Sequence, residues 1–325
     1  MKAIVQDVYG GPDTLELKEV SRPVVADDGV LVRVHAAGVN PADWHIMRGT
    51  PYIARLAFGL RKRKGEVLGI DFAGRVESVG SNVRQFQSGD EVFGSGSGAF
   101  AEYLCVPEAR AIALKPARST FEEAAAAVPV AALTALQGLR DKGHIQAGQK
   151  VLINGASGGV GTFAVQIAKS CGAKVTGVCS TSNMEMVRSL GADTVIDYTQ
   201  DDFTKGEQRY DLMLDIAGNR AWSDCQRVLR PTATFVTVGG PTGNRWIGPL
   251  GQSVAVGFAA RRGSRKVVTF FIAKSNKEDL VVLQQLLDAG KVKPVIDRTY
   301  PLSQAPEAIR YLEEGHARGK VVITA

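Results

Sequence analysis

A strand, a glycine turn and a helix follow one another in the middle of this chain. Residues 150–154 read Lys-Val-Leu-Ile-Asn, an apolar run typical of a buried strand. Residues 156–161 read Ala-Ser-Gly-Gly-Val-Gly, which is the fingerprint G-x-G-x-x-G with alanine in its first place. Apolar residues then recur at helical spacing from Val160 to Cys171. The free amides and the dipole at the start of such a helix can bind a pyrophosphate, so this stretch predicts a dinucleotide site.

Two glycines have separate tasks in this prediction. Gly158 would let the backbone approach the pyrophosphate, and Gly161 would let the helix lie close on the strand. The same letters also fit a tight turn in an α/β unit that binds no ligand, and the fingerprint alone leaves that interpretation open.

Strands alternate with helices from residue 150 to about residue 272. Four further strands are predicted at 175–179, 194–197, 209–216 and 234–238, and a fifth at 266–272. Sequences beginning Ser182-Asn and Ser275-Asn would cap helices between or after them. This order is typical of a parallel doubly wound sheet, which binds ligands at the carboxyl ends of its strands.

The first 118 residues have a different pattern. Short β-type runs at 29–37, 71–80, 90–94 and 99–107 are separated by Gly, Pro and Asp, which predicts a compact, mostly β domain. A capping box at 119–122 opens an alanine-rich helix that Pro129 should kink or divide, and we expect the domain boundary nearby. The tail from 292 to 324 resembles the first domain, so we expect it to pack there.

Composition narrows the possible functions. With 325 residues, 45% of them hydrophobic and 22% charged, the chain is long enough for two ordinary globular domains. The net charge of +6 is spread along the chain apart from basic runs at 61–64 and 261–266, which we interpret as solvated faces and not as nucleic-acid sites. Four separated cysteines form neither a disulfide framework nor a zinc knuckle. No signal peptide, transit peptide or membrane span is visible, and we expect a cytoplasmic protein.

The end of the second predicted strand bears on the choice of dinucleotide. An NAD site usually has an Asp or Glu there for the ribose hydroxyl, whereas residues 179–182 read Cys-Ser-Thr-Ser. Hydroxyl groups can hydrogen-bond a 2′-phosphate that a carboxylate would repel, so NADPH is favoured. Arg188 or Tyr198 could contribute further.

Several blocks, taken together, resemble one family. They are residues 38–43, 68–74, 89–94, 98–103, 154–161, 190–193 and 315–320. In this order they are similar to the medium-chain dehydrogenase/reductase superfamily, and within it to the zinc-independent quinone oxidoreductase branch, including its reticulon-interacting, mitochondrial-type members. The resemblance runs nearly end to end and makes the ligand-free interpretation of the glycine turn the weaker one.

The resemblance implies a fold and a set of site residues. It implies a GroES-like substrate domain from residues 1–122 and 276–325, and a Rossmann domain from 123–275 with the nicotinamide in the cleft between them. It also implies a homodimer formed through the last Rossmann strand. The cofactor residues would be Thr134, Ala156, Ser157, Gly158, Gly159, Val160, Ser180, Thr181, Ser182, Tyr198, Ala217, Gly218, Asn219, Val238, Gly239, Gly240, Pro241, Thr269, Phe270 and Phe271. Asn40, Asp43 and Tyr52 would face the substrate. Relatives often carry Arg or Lys near Ser182, so the preference for NADPH is expected to be weaker here.

The zinc ligands of the superfamily's alcohol dehydrogenases are missing from this sequence. The first ligand position, usually cysteine, is Asn40, and the histidine of the usual Gly-His-Glu block is Ile70. We therefore predict no metal. Without a Lewis acid, reduction of an electrophilic acceptor is favoured over oxidation of an alcohol.

The sequence thus predicts an NADPH-dependent reductase of quinones or α,β-unsaturated carbonyls. Two alternatives stay open: an aldehyde or alcohol oxidoreductase of the same superfamily, and an NADPH-binding protein that acts through a partner. Tyr52 could donate a proton or only line the cleft, and His45 is isolated enough to be structural.

Overall fold

The structure is a computed structural model and describes residues 1–58, 66–239, 256, 265–268 and 271–325. It divides into two compact units, Met1–Leu133 with Lys274–Ala325, and Thr134–Ala273. The strands are β1 (Lys2–Gln6), β2 (Leu15–Glu19), β3 (Gly29–Val39), β4 (Glu66–Val67), β5 (Asp71–Val79), β6 (Glu91–Ser95), β7 (Tyr103–Pro107), β8 (Ile112–Leu114), β9 (Lys150–Asn154), β10 (Lys174–Cys179), β11 (Thr194–Asp197), β12 (Tyr210–Asp215), β13 (Leu229–Thr237), β14 (Lys266–Val268), β15 (Ile296–Pro301) and β16 (Lys320–Thr324).

The α-helices of the described residues fall in both units. They are α1 (Pro41–Arg48), α2 (Arg55–Phe58), α3 (Phe121–Ala127), α4 (Val130–Gln137), α5 (Gly159–Ser170), α6 (Met184–Ser189), α7 (Trp222–Cys225), α8 (Lys277–Asp288) and α9 (Ala305–Glu313). None of these helices has the length and the apolar surface that a membrane crossing requires.

The first unit is mostly β, as the short β-type runs predict, and its strands pair mainly antiparallel, with β15 and β16 parallel. Its larger sheet has the order β15-β16-β3-β5-β6-β8, with β7 also pairing with β3, and a smaller sheet has the order β2-β1-β4. The predicted return of the tail is confirmed because β16 pairs antiparallel with β3 and places Val321 opposite Val39. Phe72, Phe93 and Phe100 are fully buried in this unit.

The second unit is a parallel sheet with the strand order β11-β10-β9-β12-β13-β14. The chain runs outward from β9 through β10 to β11, and then crosses to β12 on the other side of β9. The carboxyl ends of β9 and β12 therefore form the switch point at which such sheets bind ligands. The predicted mixture of a GroES-like unit and a Rossmann-like parallel sheet is confirmed.

Three helix starts lie one residue later than predicted. Thr120 caps α3 in place of Ser119, with Glu123 completing the capping box. Asn183 precedes α6 in place of Ser182, and Asn276 caps α8 in place of Ser275. Each site offers two consecutive residues able to cap, so the local sequence does not distinguish them.

Pro129 divides the alanine-rich helix into α3 and α4, as predicted. The helix α3 lies against β3, β5 and β16, and is therefore part of the first unit. The domain boundary expected between residues 122 and 123 falls inside this helix.

Candidate functional site

The glycine turn of the second unit begins one residue before the fingerprint. Gly155 has a φ of +88°, a conformation that favours glycine, and the amide of Ala156 donates to the carbonyl of Val178 at 2.9 Å. The tight turn that the first glycine of the fingerprint usually makes is thus made by Gly155. Alanine at position 156 is therefore compatible with the fold of a dinucleotide site.

Gly161 and Gly158 differ in the space around them. A Cβ built at Gly161 would lie 2.0 Å from the carbonyl oxygen of Gly155, so only glycine lets α5 pack this close to the turn. A Cβ at Gly158 would lie 3.8 Å from the same oxygen with nothing nearer. The helix starts at Gly159, so the amides of its first turn have no helical partners. This open side of the turn fits a pyrophosphate.

Asn183 links the glycine turn to the end of β10. Its Nδ2 lies 3.3 Å from Ser157 Oγ and 3.1 Å from Ser180 Oγ. Its Oδ1 is buried and has no hydrogen-bond partner. A ribose hydroxyl could donate to such an oxygen, so the orphaned carbonyl fits the adenosine side of a dinucleotide. Asn183 was not among the predicted site residues, although it directly follows the hydroxyl residues 180–182.

An acidic residue does lie near the predicted 2′-phosphate site, on the neighbouring strand. Register pairs Cys179 with Asp197, and the Asp197 carboxylate accepts the hydroxyl of Thr181 and, at 2.7 Å, that of Thr199. The hydrogen bond from Thr181 is the main cause that lowers the pKa of Asp197 below its ordinary value. Because Thr181 donates its only hydrogen to Asp197, the hydroxyls left to donate to a phosphate are those of Ser180 and Ser182.

A polar corner joins the carboxyl ends of β9 and β12. Asn154 Nδ2 donates to Asp215 Oδ1 at 2.8 Å and to Asn219 Oδ1 at 3.0 Å, and the amide of Gly218 donates to Asp215 at 3.0 Å. Burial raises the pKa of Asp215, against the hydrogen bonds from Asn154 and Gly218, which lower it. The corner fixes the loop that holds Ala217 and Gly218, two of the predicted nicotinamide residues.

The other predicted cofactor residues of this unit have varied surroundings. Thr134 is buried, Tyr198 is exposed, and the amide of Val238 donates to the carbonyl of Asp215 at 2.8 Å. A Cβ at Gly239 would lie 2.2 Å from the carbonyl oxygen of Ile216. Phe271 is half-buried, with Lys142 Nζ 5.9 Å from its ring centre. The predictions for Gly240, Pro241, Thr269 and Phe270 lie outside the described residues.

The predicted substrate residues of the first unit belong to a buried polar cluster. Asn40, Asp43, Asp71 and Lys320 are between 0% and 2% exposed. Lys320 Nζ donates to Asn40 Oδ1 at 2.5 Å, while Asn40 Nδ2 donates to Asp71 Oδ2 at 2.8 Å. The amide of Asn40 donates to Asp43 Oδ2 at 2.8 Å. We call these four residues the Lys320 cluster; Lys320 and Asp71 were missed as members because they lie far from Asn40 in sequence.

The charges of the Lys320 cluster do not balance if every group is ionised. Lys320 Nζ lies 3.8 Å from Asp71 Oδ2, and Asp43 adds a second carboxyl. Burial raises the pKa of Asp43 to about 7 and that of Asp71 well above its ordinary range, and it lowers the pKa of Lys320. Since an unpaired buried charge is costly, the charges balance when Asp71, which lies 3.8 Å from Lys320, is ionised and Asp43 carries a proton.

Tyr52 and His45 lie in the same part of the first unit. Tyr52 is half-buried, with the Arg55 guanidinium 4.7 Å from its ring centre. His45 is stacked on Trp44, and its Nδ1 lies 2.9 Å from the carbonyl oxygen of Thr50. Burial lowers the pKa of His45, so the ring is neutral at pH 7. These contacts agree with a structural role for His45. The substrate-facing role of Tyr52 stays a prediction.

Comparisons with known proteins agree with both units. Residues 26–116 match the alcohol dehydrogenase GroES-like domain, and residues 190–323 match the family called zinc-binding dehydrogenase. The chain is 35% identical over 355 residues to the mitochondrial NAD(P)H oxidoreductase RTN4IP1 of Danio rerio, covering 100% of this chain and 91% of that protein. This chain belongs to the medium-chain dehydrogenase/reductase superfamily.

Two further members of the superfamily are similar over nearly the whole chain. The chloroplastic NADPH-dependent alkenal/one oxidoreductase of Arabidopsis thaliana is 34% identical, over 99% of this chain and 79% of that protein. The solved quinone oxidoreductase of Coxiella burnetii is 32% identical, with a TM-score of 0.86 over 100% of this chain and 99% of that one.

The expectation of a cytoplasmic protein was wrong. The similar members of the superfamily include proteins named as mitochondrial and one named as chloroplastic.

The residues at the superfamily's zinc position do not fit zinc. They are the Asn40 amide, the alkyl side chain of Ile70 and, next to it, the Asp71 carboxylate, whereas zinc prefers thiolate and imidazole. Asn40 and Asp71 are bound to each other, and Lys320 supplies the positive charge beside them. Among the described residues, no group of three or more His, Cys, Asp or Glu could hold a metal ion.

Proposed function

We propose that this protein is an NADPH-dependent reductase of quinones or α,β-unsaturated carbonyls that works without a metal ion. The observation that carries the proposal is the Lys320 ammonium group, hydrogen-bonded to Asn40 and 3.8 Å from Asp71 at the place of the superfamily's zinc. An ammonium ion on a saturated side chain offers no vacant coordination position for an alcohol oxygen. An acceptor that is already electrophilic needs no such position.

The second unit would hold the cofactor. When bound, NADPH supplies a hydride from its nicotinamide ring. The first-turn amides of α5 would bind the pyrophosphate, and Ser180 and Ser182 would donate to the 2′-phosphate. The loop at Ala217 and Gly218, fixed by Asp215, would border the nicotinamide end. In this proposal residues 156–160 contact the phosphates.

The first unit would supply the acceptor site through Asn40, Asp43 and Tyr52. Asn40 and Asp43 are buried in the Lys320 cluster, so in this proposal they shape the floor of the site and do not project into it. Tyr52 is half-buried and can offer a hydroxyl to a carbonyl oxygen. The remaining task of the protein is to hold the nicotinamide and a flat acceptor in reacting contact.

The test is oxidation of NADPH and NADH by purified, EDTA-treated protein with a panel of quinones, enones, aldehydes and ketones. We expect turnover with quinones or enones, NADPH being the better donor. Activity on aldehydes that EDTA abolishes and zinc restores would favour the alcohol dehydrogenase alternative. Tight NADPH binding without turnover of any acceptor would favour a protein that acts through a partner.

A homodimer is part of the same proposal, because the family blocks run from end to end of this chain. Sedimentation equilibrium at micromolar concentration should give twice the 34.6 kDa of one chain. A monomer under these conditions would contradict it.

A further inference from the structure

Three distant segments bring the Lys320 cluster together at one end of a sheet. Asn40 follows the last residue of β3, Asp71 is the first residue of β5, and Lys320 is the first residue of β16. Strands β16 and β5 pair antiparallel with β3 on its two sides, placing Val321 opposite Val39 and Asp71 opposite Gly38. The Lys320 ammonium and the Asp71 carboxylate therefore meet at the amide of Asn40, 3.8 Å from each other.

The chemistry of its two neighbours dictates the orientation of the Asn40 amide. An ammonium group only donates hydrogen bonds, so Asn40 must turn Oδ1 toward Lys320. An ionised carboxylate only accepts, so Nδ2 must face Asp71, and the second Nδ2 hydrogen reaches the carbonyl of Gly38 at 3.3 Å. Every hydrogen of this amide is used, and the amide has one orientation.

The backbone of Asn40 is also hydrogen-bonded to the first turn of α1. Its backbone amide donates to Asp43 Oδ2 at 2.8 Å, and the amide of Asp43 donates to the carbonyl of Asn40 at 3.0 Å. Gly38 cannot be replaced by a residue with a side chain, since a Cβ would lie 2.8 Å from the carbonyl oxygen of Ala125. The sheet end, Asn40 and the first turn of α1 therefore form one packed unit.

We propose, on the basis of the reductase function above, that Lys320 is a positioning residue, an internal cation that locks the Asn40 amide against Asp71 and so fixes the start of α1 at the acceptor site. Lys320 acts through Asn40 and touches neither acceptor nor cofactor. Its substitution should therefore lower turnover of the acceptor and leave the affinity for NADPH unchanged.

The test compares Lys320→Met with Lys115→Met. Lys115 is a matched control in the same unit, because its side chain is also nearly buried, at 8% exposure, and it is paired with Glu91 at 3.2 Å. Ser95, at one end of β6, pairs with Asp71, and Glu91 lies at the other end. The ion pair of Lys115 is therefore away from the Lys320 cluster. Both variants should lower Tm, and only Lys320→Met should lower kcat for an enone, by about tenfold or more.

Two further variants separate positioning from stability alone. In Lys320→Met with Asp71→Asn the buried carboxylate that lost its cation is removed, so Tm should recover while kcat stays low. In Lys320→Ala, propylammonium replaces the atoms from Cγ to Nζ and should restore kcat, whereas propanol should not. Recovery of kcat together with Tm in the double variant, or a normal kcat in Lys320→Met, would overturn the proposal.

Wild-type turnover is measured first, so that the two proposals fail separately. If the wild type reduces no acceptor, the proposed function is wrong, and crystal structures of wild type and Lys320→Met then decide the role of Lys320. A rotated Asn40 side chain and a displaced first turn of α1 in the variant would support positioning. An unchanged Asn40 would overturn it.

Discussion

The two units each bury a carboxyl group at a strand end, and they satisfy it differently. In the Rossmann unit, Asp215 accepts hydrogen bonds from the Asn154 side chain and the Gly218 amide, both neutral donors on adjacent segments of the sheet. In the GroES-like unit, Asp71 and Asp43 share one ammonium group, and one oxygen of each has no hydrogen-bond partner.

The two buried acids are therefore stabilised by different kinds of partner. Neutral donors, one of them a backbone amide, stabilise the corner at Asp215 and do not depend on a charge elsewhere in the chain. The Lys320 cluster depends on a cation that β16 brings from the far end of the sequence, so a change of one charge should disturb it. We expect the Rossmann unit to tolerate substitution at its buried acid better than the GroES-like unit does.

The largest effect should come from matched alanine substitutions at the two acids. Asp71→Ala removes the carboxylate 3.8 Å from the buried ammonium of Lys320 and the acceptor of one Asn40 hydrogen bond, and should cost about 3–5 kcal/mol of unfolding free energy. Asp215→Ala leaves only neutral donors unpaired and should cost about 1–3 kcal/mol. Urea denaturation measures the loss of unfolding free energy in both variants. Equal losses would contradict the difference between the two acids.

Glycine substitutions should separate folding from binding within the cofactor turn. Gly161→Ala places a methyl group 2.0 Å from the carbonyl oxygen of Gly155 and should cost about 1–3 kcal/mol of stability. Gly158→Ala meets only open space in the folded chain, so Tm should stay near the wild-type value. NADPH binding by fluorescence should weaken in Gly158→Ala because the methyl group occupies the approach of the pyrophosphate. Wild-type affinity in that variant would contradict the assignment of the turn.

The Lys320 cluster should give stability a pH dependence through the buried carboxyl of Asp43. Burial raises the pKa of Asp43 to about 7 in the folded state, while the unfolded chain loses this proton near pH 4. Between these values the folded state binds more protons, so unfolding free energy should fall as pH rises, by about 1.4 kcal/mol per pH unit for one proton.

Asp43→Asn keeps an acceptor for the Asn40 amide and cannot titrate. The difference in unfolding free energy between wild type and Asp43→Asn, measured by urea denaturation from pH 4 to 8, isolates this proton. The wild type should lose stability relative to the variant up to about pH 7. A difference that does not change with pH would show that no proton is held there.

The smallest effect concerns the choice between dinucleotides. The Asp197 charge lies beside the hydroxyls expected at the 2′-phosphate, and Asp197→Asn removes it while keeping an acceptor for Thr181. The ratio of kcat/KM for NADPH over that for NADH should rise about threefold, because the variant removes a negative charge that would repel the 2′-phosphate. A ratio that stays constant would place the 2′-phosphate away from this strand end.

The glycine turn of the Rossmann unit and the elements beside it were predictable from the sequence. The strand at 150–154, the glycine turn, the start of α5 and the hydroxyl residues 180–182 are neighbours in the chain, and backbone sterics and hydrogen bonding fix their arrangement locally. Even there, the residue that makes the tight turn, Gly155, and the residue that precedes α6, Asn183, are each one position away from the predicted one. Local preferences at those places are nearly equal for adjacent residues.

Only the tertiary structure decided which residues join Asn40. Nothing in the local sequence connects position 40 with Asp71 or with Lys320, and the sequence predicted Asn40 and Asp43 as substrate residues without the two charges that hold them. The parallel register that brings Asp197 beside Thr181 could not be predicted from the local sequence for the same reason. Sequence patterns report what neighbouring residues prefer, whereas strand pairing brings distant residues together, and a buried charge is stable only where the fold provides its partner.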